Sequence, residues 1–261
     1  MSRFWRIGHK APKGTMNGIE KIGQYFLLMG RVFRVPDRWR MFWRQMSKEM
    51  GKQGLESILI TLIVSVFMGA IMTLQTKLNT ENPLLPAYST GLVTRDCILL
   101  EFSSTILCLL LAGKVGSNIA SEIGTMRITE QIDAMEIMGV NSANYLILPK
   151  TVAFMVMMPL LVTLSMFMGL LGGYGISAIT NVLPISEYLL GIQYAFIPFY
   201  VWYSFIKTVV FAFVIASMAS YYGYYARGGA LEVGKASTKA VVNSSIVILL
   251  LDVVLTNLML N

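Results

Sequence analysis

Long apolar stretches alternate with short polar segments over most of the chain. The stretches occupy about residues 57–78, 97–115, 146–179, 198–222 and 240–260. Each is long enough for a helix to cross the hydrocarbon core of a bilayer, which is about 30 Å thick. The pattern predicts an all-α polytopic membrane protein with five transmembrane helices. Four glycines interrupt the third stretch, namely Gly169, Gly172, Gly173 and Gly175.

An amphipathic pattern precedes the first apolar stretch. Within residues 21–54, aromatic and Met side chains recur at helical spacing while basic residues fill the other faces: Trp39, Phe42, Trp43, Met46 and Met50 against Arg38, Arg40, Arg44, Lys48 and Lys52. Such helices lie in the membrane interface, with rings at headgroup depth and cations on anionic lipid. We predict a basic N-terminal segment, residues 1–54, with an interfacial amphipathic helix. The alternative is an amphipathic helix packed on the protein's own cytoplasmic face.

A polar segment separates the second and third apolar stretches and must lie outside the hydrocarbon. Residues 117–138 contain no proline and show an incomplete apolar stripe at helical spacing, and Gly139 follows as a C-terminal stop. The pattern predicts a helix over about residues 119–138, on which Arg127 and Glu130 are neighbours. Such a helix either docks into the groove of a soluble protein or merely connects two spans, and the periodicity fits both.

Composition and charge agree with a membrane protein. Of the 261 residues, 55% are hydrophobic and 13% are charged, whereas soluble domains contain about 25% charged residues. The net charge of +7 does not indicate a nucleic-acid partner, because twelve of the 21 Lys and Arg residues precede residue 53, ahead of the first span. Other basic residues lie in the polar segment and in the loop 223–239. Five spans place these regions and the N-terminus on one side, which is the cytoplasm by the positive-inside rule, and the C-terminus on the other.

The chain offers little for catalysis or metal binding. His9 is the only histidine, which argues against a histidine-based triad or metal site. Cys97 and Cys108 lie in or beside one apolar stretch, where they fit as small apolar side chains. The sequence contains no Gly-x-x-x-x-Gly-Lys-[Ser/Thr] string, so any ATP hydrolysis that powers the protein comes from another chain. We predict no catalytic residue, no metal site and no cofactor in this chain.

Two acidic residues, Glu101 and Asp252, lie well inside predicted spans. Charged groups are costly in lipid and usually face a cavity or a partner. We interpret Glu101 as lining a path for a lipid headgroup, and Asp252, which has Leu and Val neighbours, as a structural carboxyl that bonds another helix. One alternative hypothesis is an ion-coupled secondary transporter that uses both as proton sites, and another is a non-transporting membrane scaffold.

One long string in the polar segment carries a family resemblance. Residues 122–140 read Glu-Ile-Gly-Thr-Met-Arg-Ile-Thr-Glu-Gln-Ile-Asp-Ala-Met-Glu-Ile-Met-Gly-Val, and residues 112–117 before them read Ala-Gly-Lys-Val-Gly-Ser. Both closely resemble the MlaE/YrbE-like permease family, the membrane subunits of ABC transporters that move lipids with MCE proteins. The resemblance covers the chain from about residue 55, which defines a permease domain over 55–261. The chain departs from the family at Leu100, where many members carry the Arg of an Arg-Glu pair.

The resemblance implies an assembly and a place in the cell. It implies a homodimer in the bacterial inner membrane with two ABC ATPase subunits, which bind ATP and Mg, and with an MCE-domain oligomer. The expected substrate is phospholipid, exchanged between the inner membrane and the MCE protein in the maintenance of outer-membrane lipid asymmetry.

The resemblance also suggests which residues do the work. Those expected to couple to the ATPase are Glu122, Ile123, Gly124, Met126, Arg127, Glu130, Gln131, Asp133, Met135 and Glu136. A lipid path needs apolar walls with few polar groups, and the implied cavity lies between two permease copies. Candidates for that path lie at the end of the first span and in the second span, namely Leu74, Gln75, Leu78, Leu99, Leu100 and Glu101. Each of these leucines fits plain lipid-facing surface equally well.

Overall fold

The computed structural model describes residues 18–34, 39–80, 86–180 and 183–260, and these residues form helices and short connections without a strand. The helices are α1 (Gly18–Val32), α2 (Trp39–Asn79), α3 (Ser89–Ile128), α4 (Gln131–Ile137), α5 (Ser142–Thr180), α6 (Ile185–Gln193), α7 (Phe199–Tyr224) and α8 (Ala230–Leu260). Five of them, α2, α3, α5, α7 and α8, are long and apolar enough to cross a membrane. The predicted all-α class and the five spans are therefore confirmed.

Two of these helices, α2 and α3, continue well beyond the spans predicted over residues 57–78 and 97–115. The 41 residues of α2 include both the amphipathic stretch and the first span, joined through a π-helical turn at Gly51–Leu55. At a rise of about 1.5 Å per residue, such a helix is about 60 Å long, twice the thickness of the hydrocarbon core. The residues of the predicted amphipathic helix from Trp39 to Lys52 lie in the first part of α2, and α1 is a separate helix within the basic N-terminal segment. Residues 1–17 and 35–38, also part of the predicted basic segment, lie outside the described residues.

One end of the bundle, called the polar end below, gathers α1, the end of α3, α4, the start of α5 and the end of α7. The Asn144 side-chain amide donates to the backbone carbonyls of Val32 and Arg34 at 2.7 and 2.5 Å. The Tyr25 hydroxyl donates to Ser217 Oγ at 2.8 Å, and burial raises the pKa of this tyrosine. The N-terminal helix is therefore bound to the rest of the chain by specific hydrogen bonds.

The opposite end of the bundle is closed by α6. The buried guanidinium of Arg95 donates to the backbone carbonyls of Ile192 and Tyr194, at 2.9 and 2.7 Å, and so satisfies the C-terminal carbonyls of this short helix. The Tyr188 hydroxyl donates to the Leu170 carbonyl at 3.0 Å. Burial raises the pKa of Tyr188 to about 12.

The glycines of the third apolar stretch do not interrupt α5, which is continuous from Ser142 to Thr180. Gly169 and Gly172 instead allow α2 to approach α5 closely. A Cβ added to Gly69 of α2 would clash with the backbone carbonyl of Gly169, and one added to Gly172 would clash with that of Val66. Small residues commonly permit such contacts between helices in lipid. The glycine pattern therefore marks a helix-packing face.

Candidate functional site

A buried lysine joins the two acidic residues that lie inside the spans. Lys207 Nζ of α7 lies 2.5 Å from Asp252 Oδ1 of α8 and 3.0 Å from both carboxylate oxygens of Glu101 in α3. The Thr105 hydroxyl donates to Glu101 Oε2 at 3.0 Å and is 3.2 Å from Asp252 Oδ1. Lys207 Nζ is also 5.1 Å from the ring centroid of Tyr203. These contacts form one polar cluster across three spans, called the Lys207 cluster below.

Local helix geometry brings Glu101 to this position. Residues Ile98–Ile106 of α3 form a π-helical stretch, and such wide turns occur frequently at functional sites. The Ser204 hydroxyl donates to the Leu99 carbonyl, and Lys207 Nζ lies 3.3 Å from the Leu100 carbonyl. The wide turn therefore offers backbone carbonyls as well as the Glu101 carboxylate to α7.

The Lys207 cluster is unevenly exposed. The Lys207 side chain is 0% exposed and that of Asp252 is 17% exposed, whereas the Glu101 side chain is 42% exposed. A charge in lipid must be paired, because an isolated one is costly. One ammonium faces two carboxylates, so the cluster carries excess negative charge when both acids are ionised. Glu101, the most exposed of the three charged side chains, presents most of this negative charge at the surface of the single chain.

Sequence reasoning missed Lys207 and treated Glu101 and Asp252 as separate features. A signal for it exists in the sequence, because Lys207 is an isolated cation between Ile206 and Thr208 in the fourth apolar stretch. Lone charges of opposite sign in different spans tend to pair with one another. Counting the charges of all five spans together would have pointed to the cluster.

The predicted lipid-path residues occupy two places. Leu74, Gln75 and Leu78 lie in the last turns of α2, where Gln75 and Leu78 are exposed and Leu74 is half-buried. Glu101 belongs to the Lys207 cluster, whereas Leu100 meets Lys207 only through its backbone carbonyl and has a partly buried side chain. Leu99 is only 4% exposed and packs within the chain, so its side chain is not part of an open surface of the single chain.

The polar segment differs from the single helix predicted over residues 119–138. The second span continues as α3 to Ile128, the chain turns at Glu130, and the short helix α4 follows. Glu130 adopts a left-handed backbone conformation with φ of 60°, which ends the α-helical path. Gly139 has φ of +77°, as expected for a C-terminal stop.

Arg127 pairs across this turn and not along a helix. Its Nη1 atom is 2.6 Å from Asp133 Oδ1, and the guanidinium carbon is 5.8 Å from the ring centroid of Tyr224. The predicted neighbour, Glu130, is instead exposed at the turn. The Arg127 pairing was therefore misassigned, because the turn brings Asp133 back towards α3.

The predicted ATPase-coupling residues divide into buried and exposed groups. Ile123 is fully buried, and Gly124 packs so closely on Val233 of α8 that an added Cβ would crowd it. Partly buried members of the set are Glu122, Met126, Arg127, Asp133, Met135 and Glu136. Glu130 and Gln131 are exposed, and so are three apolar residues that sequence reasoning did not select, Ile137, Met138 and Val140. Residues 129–140 therefore present a mixed polar and apolar surface, called the turn surface below.

Comparison with known proteins agrees with the resemblance. A family model described as permease MlaE matches residues 46–258. A "probable ABC transporter permease protein" of Rickettsia bellii is 32% identical over 97% of each chain, and one of Synechocystis is 34% identical over 90% of this chain and 89% of its own. The "intermembrane phospholipid transport system permease protein MlaE" of Haemophilus influenzae is 29% identical over the same shares of the two chains. This chain belongs to the MlaE family of ABC transporter permeases.

Proposed function

We propose that this permease moves phospholipid through the membrane, driven by ATP hydrolysis in a separate ATPase. The observation that carries the proposal is the half-exposed Glu101 carboxylate, which the fully buried Lys207 holds inside a membrane span. A polar group kept at the surface of an apolar bundle fits a path whose walls take acyl chains and whose few polar groups meet a headgroup. The Haemophilus influenzae relative, named for intermembrane phospholipid transport, supports this choice of substrate.

Two features of the chain support a separate ATPase as the source of energy. Its sequence has no phosphate-binding loop motif, and the family is that of ABC transporter permeases. The turn surface offers exposed Glu130 and Gln131 beside exposed Ile137 and Met138. Such a surface suits the groove of a soluble ATPase. Closure of two ATPase subunits that bind ATP and Mg would then press on residues 129–140 and reshape the lipid path.

The remaining parts of the assembly are also proposals. A second permease copy would complete the lipid cavity beside Glu101, and an MCE-domain oligomer would exchange lipid at the opposite end of the bundle. The polar end would face the cytoplasm, since Arg31, Lys52, Arg127 and Lys235 all lie there. The C-terminus, at the far end of α8, would then face the periplasm of a bacterial inner membrane.

Reconstitution tests the proposal. The transporter would be purified with the proteins that bind it and placed in vesicles of phosphatidylethanolamine and phosphatidylglycerol that contain a fluorescent phosphatidylethanolamine. We expect lipid transfer that requires ATP and Mg and that falls strongly in Glu101→Gln. An ATP-dependent transfer rate unchanged in Glu101→Gln would remove the proposed role of this carboxylate.

A charge reversal on the turn surface tests the ATPase contact separately. The double variant Glu130→Lys with Gln131→Ala should lose the ATPase during purification and lose lipid transfer. Glu232→Lys, which changes an exposed acid at the same end of the bundle, is the matched control. Normal ATPase recovery and normal transfer in the double variant would refute the docking role of residues 129–140.

A further inference from the structure

A second buried lysine lies at the polar end and joins three helices. Lys150 Nζ of α5 is 2.6 Å from Glu49 Oε1 of α2 and 2.9 Å from Glu122 Oε2 of α3. Its side chain is only 3% exposed. Lys52 Nζ is 3.5 Å from Glu122 Oε1, and the Gln53 amide donates to Glu49 Oε2 at 2.9 Å. These five side chains are called the Lys150 cluster below.

The Lys150 cluster connects the end of α3 with the first part of α2. Glu122 lies less than two turns before the end of α3, so it is rigidly linked to the turn at Glu130. Glu49 lies in the first part of α2, just before the π-helical turn at Gly51–Leu55. That part of α2 exposes Trp39, Arg40, Trp43 and Arg44, the residues that fit the membrane interface.

A buried ion-pair cluster is better suited to linking helices mechanically than to stabilising the folded protein. Burying an ion pair adds little net stability compared with apolar packing, because both charges lose their water. Removing one partner nevertheless leaves a buried charge unpaired, which is costly. The paired charges therefore resist being pulled apart. Coupling between distant sites can be carried by ion-pair networks and rigid helices that have two discrete arrangements. The Lys150 cluster joins α2, α3 and α5 by contacts of this kind.

We infer that Lys150 is a positioning residue that links the turn surface to the first part of α2. This inference rests on the proposed function, because it assigns a route for the push of an ATPase on residues 129–140. Displacement of the turn surface moves Glu122 through α3. The ion pairs of Lys150 with Glu122 and Glu49 then transmit this movement to α2. The first part of α2 then shifts at the polar end of the bundle, and its movement is carried along the same continuous helix into the first span.

Glu49→Gln tests the link most sharply, because it removes the ion pair between Lys150 and Glu49 and leaves the Lys150–Glu122 pair intact. The matched control is Glu232→Gln, which removes a carboxylate from the exposed pair with Lys235 at the same end. Lys150→Arg keeps the positive charge and serves as the conservative variant. For each complete transporter, the readouts are the yield of assembled complex, the ATPase rate, and the fluorescent phosphatidylethanolamine transferred per ATP hydrolysed.

We expect Glu49→Gln to lower lipid transferred per ATP roughly tenfold, a typical size for a broken coupling contact, with unchanged assembly and an ATPase rate close to wild type. Lys150→Arg and Glu232→Gln should keep the wild-type ratio. A wild-type ratio in Glu49→Gln overturns the inference, and so does a loss confined to assembly yield, which indicates a purely structural role. A wild-type transporter without ATP-dependent transfer refutes the proposed function and the inference with it, whereas an unaffected Glu49→Gln refutes the inference alone.

Discussion

Two buried lysines in this permease have similar ion-pair partners but different surroundings. Each places one ammonium between two carboxylates that come from two other helices: Lys207 with Glu101 and Asp252, and Lys150 with Glu49 and Glu122. Lys207 lies within the spans. Lys150 lies at the polar end, where its neighbour Lys52 is 53% exposed. The Lys207 cluster has one ammonium for two carboxylates and lies within the spans, whereas the Lys150 cluster also contains Lys52 and lies nearer to bulk water.

The difference between the two clusters separates the effect of ion pairing on stability from the effect of solvent access. A carboxylate that loses its lysine inside the hydrocarbon has no water to replace the lost bonds, so the whole desolvation cost remains. At the polar end, a small movement admits water and reduces that cost. We therefore expect Lys207 to govern stability and the lipid path, and Lys150 to govern coupling with a smaller effect on stability.

The largest effect should come from Lys207→Met, which leaves Glu101 and Asp252 close together without a cation. Breaking a buried ion pair from one side costs about 3–5 kcal/mol of unfolding free energy. The measurement is unfolding in mixed micelles, titrated with SDS. Lys239→Met, at an exposed position of α8, is the control. An unchanged free energy of unfolding in Lys207→Met would contradict the pairing.

A triple variant sharpens this result by separating stability from function. Lys207→Met combined with Glu101→Gln and Asp252→Asn removes all three charges, so much of the lost stability should return. Lipid transfer should not return, since the Glu101 carboxylate is absent. Recovery of both stability and transfer would show that the Lys207 cluster only holds helices together.

A variant without any charge tests how α2 is held to α5, the two helices that Lys150 also joins. Gly172→Ala places a Cβ against the backbone carbonyl of Val66, whereas a Cβ on Gly175 meets nothing within 4 Å. Because backbone must move, we expect Gly172→Ala to cost about 3 kcal/mol of unfolding free energy and Gly175→Ala to cost much less. Equal effects of the two variants would mean that glycine contacts do not set the distance between α2 and α5.

Lys150→Met should have a smaller effect on stability than Lys207→Met. We expect a loss of about 2 kcal/mol of unfolding free energy, the usual cost of an unsatisfied group that water can partly reach. Measuring both variants in the same micelles gives the comparison directly. A loss in Lys150→Met that equals or exceeds the loss in Lys207→Met would show that solvent access does not distinguish the two clusters.

The smallest effect is expected at the turn surface. Asp133→Asn removes the partner of Arg127 in a pair whose side chains are 42% and 21% exposed. Partly exposed pairs contribute about 0.2–1 kcal/mol, so unfolding should change little. The variant is informative through ATPase recovery during purification, which we expect to fall only if the shape of the turn matters for docking.

The sequence predicts the spans well because hydropathy and length determine them directly. It also indicates the cost of Glu101 and Asp252 in lipid, and the stop at Gly139. It could not show that Lys207 lies between these two acids, since that depends on how α3, α7 and α8 are rotated against one another. The π-helical stretch at Ile98–Ile106 changes the rotation of α3 without a clear sequence signal.

The turn at Glu130 shows a second limit. A helical pattern over residues 119–138 continues through a position where the backbone reverses, because Glu130 is an ordinary helix former with no Gly or Pro beside it. The pairing of Arg127 with Asp133 stabilises the turn from within the segment, and the hydrogen bond from the Tyr224 hydroxyl of α7 to Glu136, at 2.7 Å, stabilises it from outside. Such tertiary contacts override local propensity.

The central claim is that lipid moves along a path beside Glu101 and that ATP hydrolysis in a partner drives it. The most direct measurement compares fluorescent phosphatidylethanolamine transfer in two sets of vesicles. One holds the permease alone under a proton gradient, and the other holds the permease with its co-purified ATPase, ATP and Mg. We predict transfer only in the second set, and a strong reduction there in Glu101→Gln. Gradient-driven transfer by the permease alone would contradict the account and favour proton coupling through Glu101 and Asp252.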